Sequence, residues 1–86
     1  MIEVNGLDDD KVLQVMPLVR REFGDAKIKH PIFCGSLYQA VAIITEELGK
    51  LAKAINDGDN KQALIEAAHV TVTALRTMIE IEERLK

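Results

Sequence analysis

Residues 36–59 have the sequence SLYQAVAIITEELGKLAKAINDGD, and this stretch decides the fold. Apolar residues recur through it at alternating spacings of four and three, which predicts one long helix with a continuous apolar seam. Ser36 and Gln39 match a capping box at its start, and Gly58 suits the left-handed position that follows a helix end. We expect this seam to be core. Its members are Leu37, Val41, Ile44, Leu48, Leu51 and Ile55.

A second helix is predicted to begin at Asp59 or Asn60, either of which can cap it, and to run to about Glu83. Most of its surface is apolar, and only one narrow strip, which includes Glu66 and His69, is polar. A helix that is apolar nearly all round is normally buried on more than one side. In so short a chain, the simplest partner for the extra face is another copy of the protein.

An earlier helix is predicted from Asp9 to Gly24, because apolar residues recur there at spacings of three and four. Pro17 lies inside it and is expected to kink the helix or to split off its first turns. Residues 25–35 are predicted to form a loop, since glycine and proline are typical of turns and helix ends. These residues are Gly24, the pair His30-Pro31 and Gly35.

The short turn at Gly58 makes the two later helices an antiparallel hairpin. At about 1.5 Å of rise per residue, alignment outward from the turn places Glu47, Lys50, Glu66 and His69 in one layer. The predicted fold is therefore all-α, a helical hairpin with a preceding kinked helix. We expect the 86 residues to form a single domain that dimerises into a four-helix bundle, or assembles as a dimer of dimers.

Composition and charge exclude several classes of function. The formal net charge is −3 and there is no run of Lys and Arg, so we expect no nucleic-acid partner. No apolar run approaches the roughly 18 residues of a membrane span. The N-terminus is acidic and lacks the apolar segment of a signal peptide, and Cys34 is the single cysteine. These features favour a cytoplasmic location.

Four stretches together resemble the MazG-like all-α nucleoside triphosphate pyrophosphohydrolases. They are Glu46–Gly49 inside a helix, the turn Asp57–Asp59, the segment Leu64–Glu66, and the lead-in from Arg21 to Pro31, which is similar to short phage and mobile-element members. The resemblance covers about residues 19–80. It implies an all-α bundle that binds Mg²⁺ and cleaves a (d)NTP substrate between its α and β phosphates, which leaves a monophosphate and pyrophosphate.

Members of that family use two adjacent acids, an acid three residues after the second, and later an acid with an aspartate three residues beyond. Glu46, Glu47 and Glu66 match this pattern, whereas Lys50 and His69 replace two of the acids. The resemblance implies that Glu47 and Glu66 would bind the metal and that the other two ligands of the family's set are missing. Glu46 would orient water or ligand, and a basic group such as Lys50 or Lys53 would contact phosphate.

The two replacements predict a weakened or lost Mg²⁺ site. Magnesium prefers oxygen ligands, and an ammonium repels the ion and donates instead of accepting. If Lys50 points into this layer, it can take the place of the metal between Glu47 and Glu66, where opposite charges favour both ionised forms. A simple helical pair between Glu46 and Lys50 is an equally open explanation of that lysine.

Two further functions stay open. Glu66-x-x-His69 with a glutamate on the partner helix is the ligand set of transition-metal carboxylate bundles, since imidazole suits Fe, Mn, Zn or Ni better than Mg. The chain is alternatively a non-catalytic helical protein that keeps the bundle only for self-assembly. In that case His69 is a structural histidine, paired with Glu66 or Thr73.

Overall fold

The computed structural model describes residues 10–86, which form three helices. These are α1 (Asp10–Lys29), α2 (Leu37–Asn56) and α3 (Asn60–Leu85). No strand occurs within the described residues, so the prediction of an all-α chain is confirmed for them. None of the helices in this range combines the length and the apolar composition that crossing a bilayer requires. The predictions for the first nine residues, including a helix start at Asp9 and the lack of a signal peptide, lie outside this range.

The first helix is longer than its sequence pattern predicts. It continues through Gly24 to Lys29, so the prediction of a loop from residue 25 is wrong for its first five residues. The physical reason is tertiary: Ala26 lies against α3, and its carbonyl oxygen accepts both from the His30 amide at 2.8 Å and from the Arg76 side chain at 3.3 Å. The helix also runs without a break through Pro17, which therefore does not split off the first turns.

The start of α2 follows the capping pattern with one difference. Ser36 is the N-cap, and its hydroxyl oxygen accepts from the Gln39 amide at 3.3 Å. The Gln39 side chain reaches back one residue further than a capping box requires, and its oxygen accepts from the Gly35 amide. The predicted start of the helix is therefore confirmed.

The turn between α2 and α3 also forms as predicted. Gly58 has a positive φ of 73°, which glycine adopts without a Cβ penalty. Asp59 then caps α3, since its carboxylate accepts from the Gln62 amide at 3.0 Å. This helix ends at Leu85, two residues beyond the predicted Glu83.

Helix α3 lies at the centre and packs against both α1 and α2. The short turn makes α2 antiparallel to α3. Helix α1 runs parallel to α3. Glu22 contacts His69, and the later residues Ala26 and His30 contact Arg76, which follows His69 on α3, so both helices run in the same direction. The two outer helices therefore form opposite walls of a cleft, and α3 forms its floor.

The apolar side chains in the interior of the described chain are all small. Those buried are Val19, Ala40, Ala54, Ala68 and Val72. The seam of α2 is only partly covered, and Val41, Leu48 and Ile55 are 62%, 52% and 59% exposed. The prediction that the whole seam is core is therefore wrong within one chain, because the smaller Ala40 and Ala54 take the position against α3.

Candidate metal centre

The hairpin brings together three of the predicted site residues. Glu47 on α2 and Glu66 and His69 on α3 each offer one ligand atom, and these atoms lie within 4.8 Å of one another. The short turn fixes the register of the two helices, and the i,i+3 spacing puts Glu66 and His69 on one face of α3. The arrangement is that of a site between facing helices of a bundle.

His69 occupies the middle of this cluster. Its Nδ1 lies 3.1 Å from Oε1 of Glu66 and 3.6 Å from Oε2 of Glu47. Its Nε2 lies 2.7 Å from Oε1 of Glu22, which belongs to α1. One imidazole thus contacts a carboxylate from each of the three helices.

Glu22 is the member that sequence reasoning missed. Its side chain is largely buried, and its second carboxylate oxygen pairs with Arg21 at 3.2 Å. The available signal was its place on the inward face of α1, three residues after the buried Val19 and four before Ala26. This position predicts a partly buried acid. It does not predict which residue the acid contacts, since the alignment of α1 with α3 depends on tertiary packing.

Lys50 stands at the edge of the cluster. Its Nζ lies 3.4 Å from Oε1 of Glu47 and 3.6 Å from Oε1 of Glu46, and its side chain is 49% exposed. No ion pair joins Lys50 to Glu66 within the described residues. The hypothesis that Lys50 lies between Glu47 and Glu66 is therefore wrong. His69 takes that place, because its side chain is shorter than that of lysine and lies on the same face of α3 as Glu66.

The charges of the cluster shift the pKa values of its members. Burial disfavours the imidazolium of His69, but hydrogen bonds to Glu22 and Glu66 and the charges of Glu22 and Glu47 outweigh it, so the pKa of His69 is raised. The hydrogen bond from His69 is the largest cause of the lowered pKa of Glu22. Hydrogen bonding from Gln62, and then from His69, lowers the pKa of Glu66. The charge of Glu47 raises the pKa of Lys50.

One carboxylate oxygen of the cluster lacks a hydrogen bond. Oε2 of Glu47 is buried and has no hydrogen-bond partner, since Nδ1 of His69 is 3.6 Å away. A buried acceptor without a partner costs free energy comparable to a lost hydrogen bond. The donor set of two carboxylates and one imidazole fits a divalent cation, and this oxygen would gain a partner if one were bound.

The cluster opens into a cleft of about 510 Å³, within the range of small-molecule sites. Glu46, which is 71% exposed on its side chain, and Lys50 lie on the α2 wall, whereas Lys53 is not among the lining residues. The other end of the cleft is less polar. It includes Ile32, Phe33, Ile43 and Val72.

A buried arginine closes this apolar end. Arg76 is 8% exposed and donates to the carbonyl oxygens of Ala26 at 3.3 Å and His30 at 2.6 Å. Its guanidinium also lies over the ring of Phe33, 5.1 Å from the centroid. These contacts attach the C-terminal end of α1 to α3, and so they set the position of Glu22. Arg76 lies on the same polar strip of α3 as Glu66 and His69, and the sequence pattern gives no reason for its burial.

Comparison of the chain with family models, with characterised proteins and with solved structures finds no match in any of the three.

Proposed function

We propose that this protein is a MazG-like member of the nucleotide pyrophosphohydrolase superfamily that binds a divalent cation through Glu47, Glu66 and His69. The observation that carries the proposal is the buried, unpartnered Oε2 of Glu47 beside two further ligand atoms, at the edge of a cleft of nucleotide size. The sequence resemblance supplies the reaction, which converts a (d)NTP into a (d)NMP and pyrophosphate.

The roles of the surrounding residues follow from their positions. A bound cation would neutralise phosphate charge and lower the pKa of a bound water. Lys50 lines the cleft and carries an ammonium group at neutral pH, so it can contact a phosphate oxygen. Lys53 lies outside the cleft and pairs with Asp57 at 2.6 Å, which makes it the weaker candidate. Glu46 is exposed at the rim, where it can accept a hydrogen bond from water.

The direct test is release of pyrophosphate from a panel of (d)NTPs in the presence of Mg²⁺ or Mn²⁺. We expect turnover that Glu47→Gln abolishes, because the amide keeps the shape but removes the charge that holds the cation. Glu82→Gln, at an exposed acid near the end of α3, is the matched control and should leave turnover unchanged. Absence of turnover with every nucleotide would remove the enzymatic proposal.

A second candidate function has its own support. The raised pKa of His69 widens the pH range over which its ring is an imidazolium, and in that form the ring is an internal cation that pairs with Glu22 and Glu66. Such a network can hold three helices together without any ion. A protein that shows no nucleotide turnover but forms a stable oligomer would be a non-catalytic assembly protein of this kind.

Self-association is the remaining part of the proposal. Val41, Leu48 and Ile55 repeat every seven residues along α2 and stay more than half exposed. No large side chain in the described residues is fully buried, although 48% of the chain is hydrophobic. A seven-residue apolar repeat is the pattern by which helices pair, so a second copy of the chain is the occupant that fits this seam.

Light scattering and sedimentation test this association. We expect a dimer or a tetramer, and we expect Leu48→Lys to convert it to monomer by placing a charge in the seam. Leu85→Lys introduces the same change at an exposed leucine outside the seam and should leave the oligomer intact. A wild-type chain that stays monomeric at high concentration would exclude self-association.

A further inference from the structure

The two ring nitrogens of His69 face different groups. Nε2 lies 2.7 Å from Oε1 of Glu22 and faces α1. Nδ1 lies on the side of Glu66 and Glu47, whose nearest oxygens are 3.1 and 3.6 Å away. The ring is therefore held between a carboxylate on one side and the candidate metal ligands on the other.

This arrangement decides which tautomer a neutral His69 adopts. A neutral imidazole carries one N–H and one lone pair, and an ionised carboxylate only accepts hydrogen bonds. Because Oε1 of Glu22 is the closest acceptor to either ring nitrogen, the proton belongs on Nε2 and the lone pair on Nδ1. The lone pair is then directed toward the oxygens of Glu47 and Glu66.

Both oxygens of Glu22 have separate partners. Oε2 pairs with Arg21 at 3.2 Å, which leaves Oε1 for His69. The backbone of α1 is fixed in turn by Arg76, which donates to the carbonyl oxygens of Ala26 and His30. The orientation of the imidazole thus depends on Glu22, whose carboxylate pairs with Arg21 and whose helix is held by Arg76.

We infer that Glu22 is a positioning residue that holds His69 with Nδ1 as a metal ligand, so that the site prefers a divalent transition cation such as Zn²⁺, Co²⁺ or Mn²⁺ to Mg²⁺. The inference rests on the metal centre of the proposed function and names the cation it takes. Imidazole suits these ions, whereas Mg²⁺ favours an all-oxygen shell. A carboxylate that accepts from the second ring nitrogen raises the basicity of the ligand, and its loss costs about 10–100-fold in metal affinity.

Long-range ¹H–¹⁵N correlation spectra of the wild-type protein test the tautomer without any variant. With Zn²⁺ added, we expect the His69 signals of a ring protonated at Nε2 and bound to metal at Nδ1. Ligation through Nε2, or His69 signals unchanged by Zn²⁺, would overturn the inference.

Calorimetric titration with Zn²⁺ and with Mg²⁺ tests the selectivity. We expect Glu22→Ala to weaken Zn²⁺ binding by about 10–100-fold with a smaller effect on Mg²⁺, and Glu22→Gln to recover part of it, since the amide oxygen can accept from Nε2–H. Asp10→Ala, which removes an exposed acid at the start of α1 that does not line the cleft, should leave both affinities unchanged. Equal affinity for the two ions, or no binding of Zn²⁺, would contradict the inference.

The two proposals fail in different ways. Zn²⁺ ligation through Nδ1 without any release of pyrophosphate would leave the role of Glu22 intact and remove the enzymatic function. Turnover with Mg²⁺ that Glu22→Ala does not change, together with equal binding of Zn²⁺ and Mg²⁺, would keep the function and remove the role of Glu22.

Discussion

Nε2 of His69 lies 2.7 Å from Oε1 of Glu22, although 47 residues separate the two along the chain. This contact joins α1 to the hairpin of α2 and α3. On its other side the same ring meets Glu66 of its own helix and Glu47 of α2. The ionic centre therefore belongs to all three helices, and changes in the charge of His69 should affect both stability and metal binding.

The first prediction concerns the pH dependence of folding. The raised pKa of His69 contributes stability that is fully present below its ordinary value of 6.5 and is lost as pH rises through the raised pKa. The lowered pKa values of Glu22 and Glu66 contribute stability that is present above the ordinary value of 4.5 and is lost as pH falls through the lowered values. The free energy of unfolding should therefore be largest between pH 4.5 and 6.5.

Urea unfolding at a series of pH values measures this profile. The groups that face His69 are Glu22 from α1, Glu47 from α2 and Glu66 from α3, with Lys50 beside Glu47. His69→Gln should flatten the alkaline side, because no imidazolium is left to lose. If the wild type and this variant lose stability equally as pH rises above 6.5, the imidazolium is not the stabilising group.

The second prediction concerns Lys50. Replacement by glutamate restores an acid at the position where the resembled family has one, so Lys50→Glu should strengthen Mg²⁺ binding in a calorimetric titration. The same change removes the pairs with Glu46 and Glu47 and places like charges together, so the metal-free protein should become less stable. Lys53→Glu on the same helix is the matched control, since Lys53 pairs with Asp57 away from the cluster. Equal Mg²⁺ affinity in both variants would count against a metal centre at this place.

The third prediction concerns the attachment of α1. Arg76→Met removes two hydrogen bonds to backbone carbonyl oxygens and the contact with Phe33, and should lower the free energy of unfolding by about 2–3 kcal/mol. Arg76→Lys keeps the charge but loses the planar fork, so its effect should be intermediate. Arg84→Met, at an exposed arginine on the same helix, should change stability by less than about 0.5 kcal/mol. Similar losses at positions 76 and 84 in urea unfolding would contradict this role.

The fourth prediction concerns Gly49 in the middle of α2. A Cβ atom at this position would meet nothing within 4 Å, so no other helix of the same chain requires a glycine there. Gly49→Ala should therefore stabilise an isolated chain by about 1 kcal/mol, the difference in helix propensity. The same change should weaken self-association if a partner helix packs closely against this position.

Gly24→Ala in α1 is the matched control, because that helical glycine is equally open. Unfolding at low protein concentration measures the first effect, and sedimentation over a concentration series measures the second. If both alanine variants stabilise the chain and neither changes its association, no partner helix approaches Gly49.

Local chemistry made much of the hairpin predictable. The cap at Ser36, the positive φ of Gly58 and the cap at Asp59 involve residues within a few positions of one another, and each is present as predicted. Since such a short turn leaves little freedom in how the two helices align, the sequence also predicted that Glu47, Glu66 and His69 lie in one layer.

The sequence by itself thus determined the all-α hairpin and the proximity of Glu47 and Glu66, because these depend on capping, turn geometry and helical periodicity. Tertiary structure alone decided that Glu22 completes the cluster, that His69 rather than Lys50 stands between Glu47 and Glu66, and that Arg76 is buried. The physical reason is that α1 docks through contacts between residues far apart in sequence, and side-chain packing, not local pattern, sets where those residues meet.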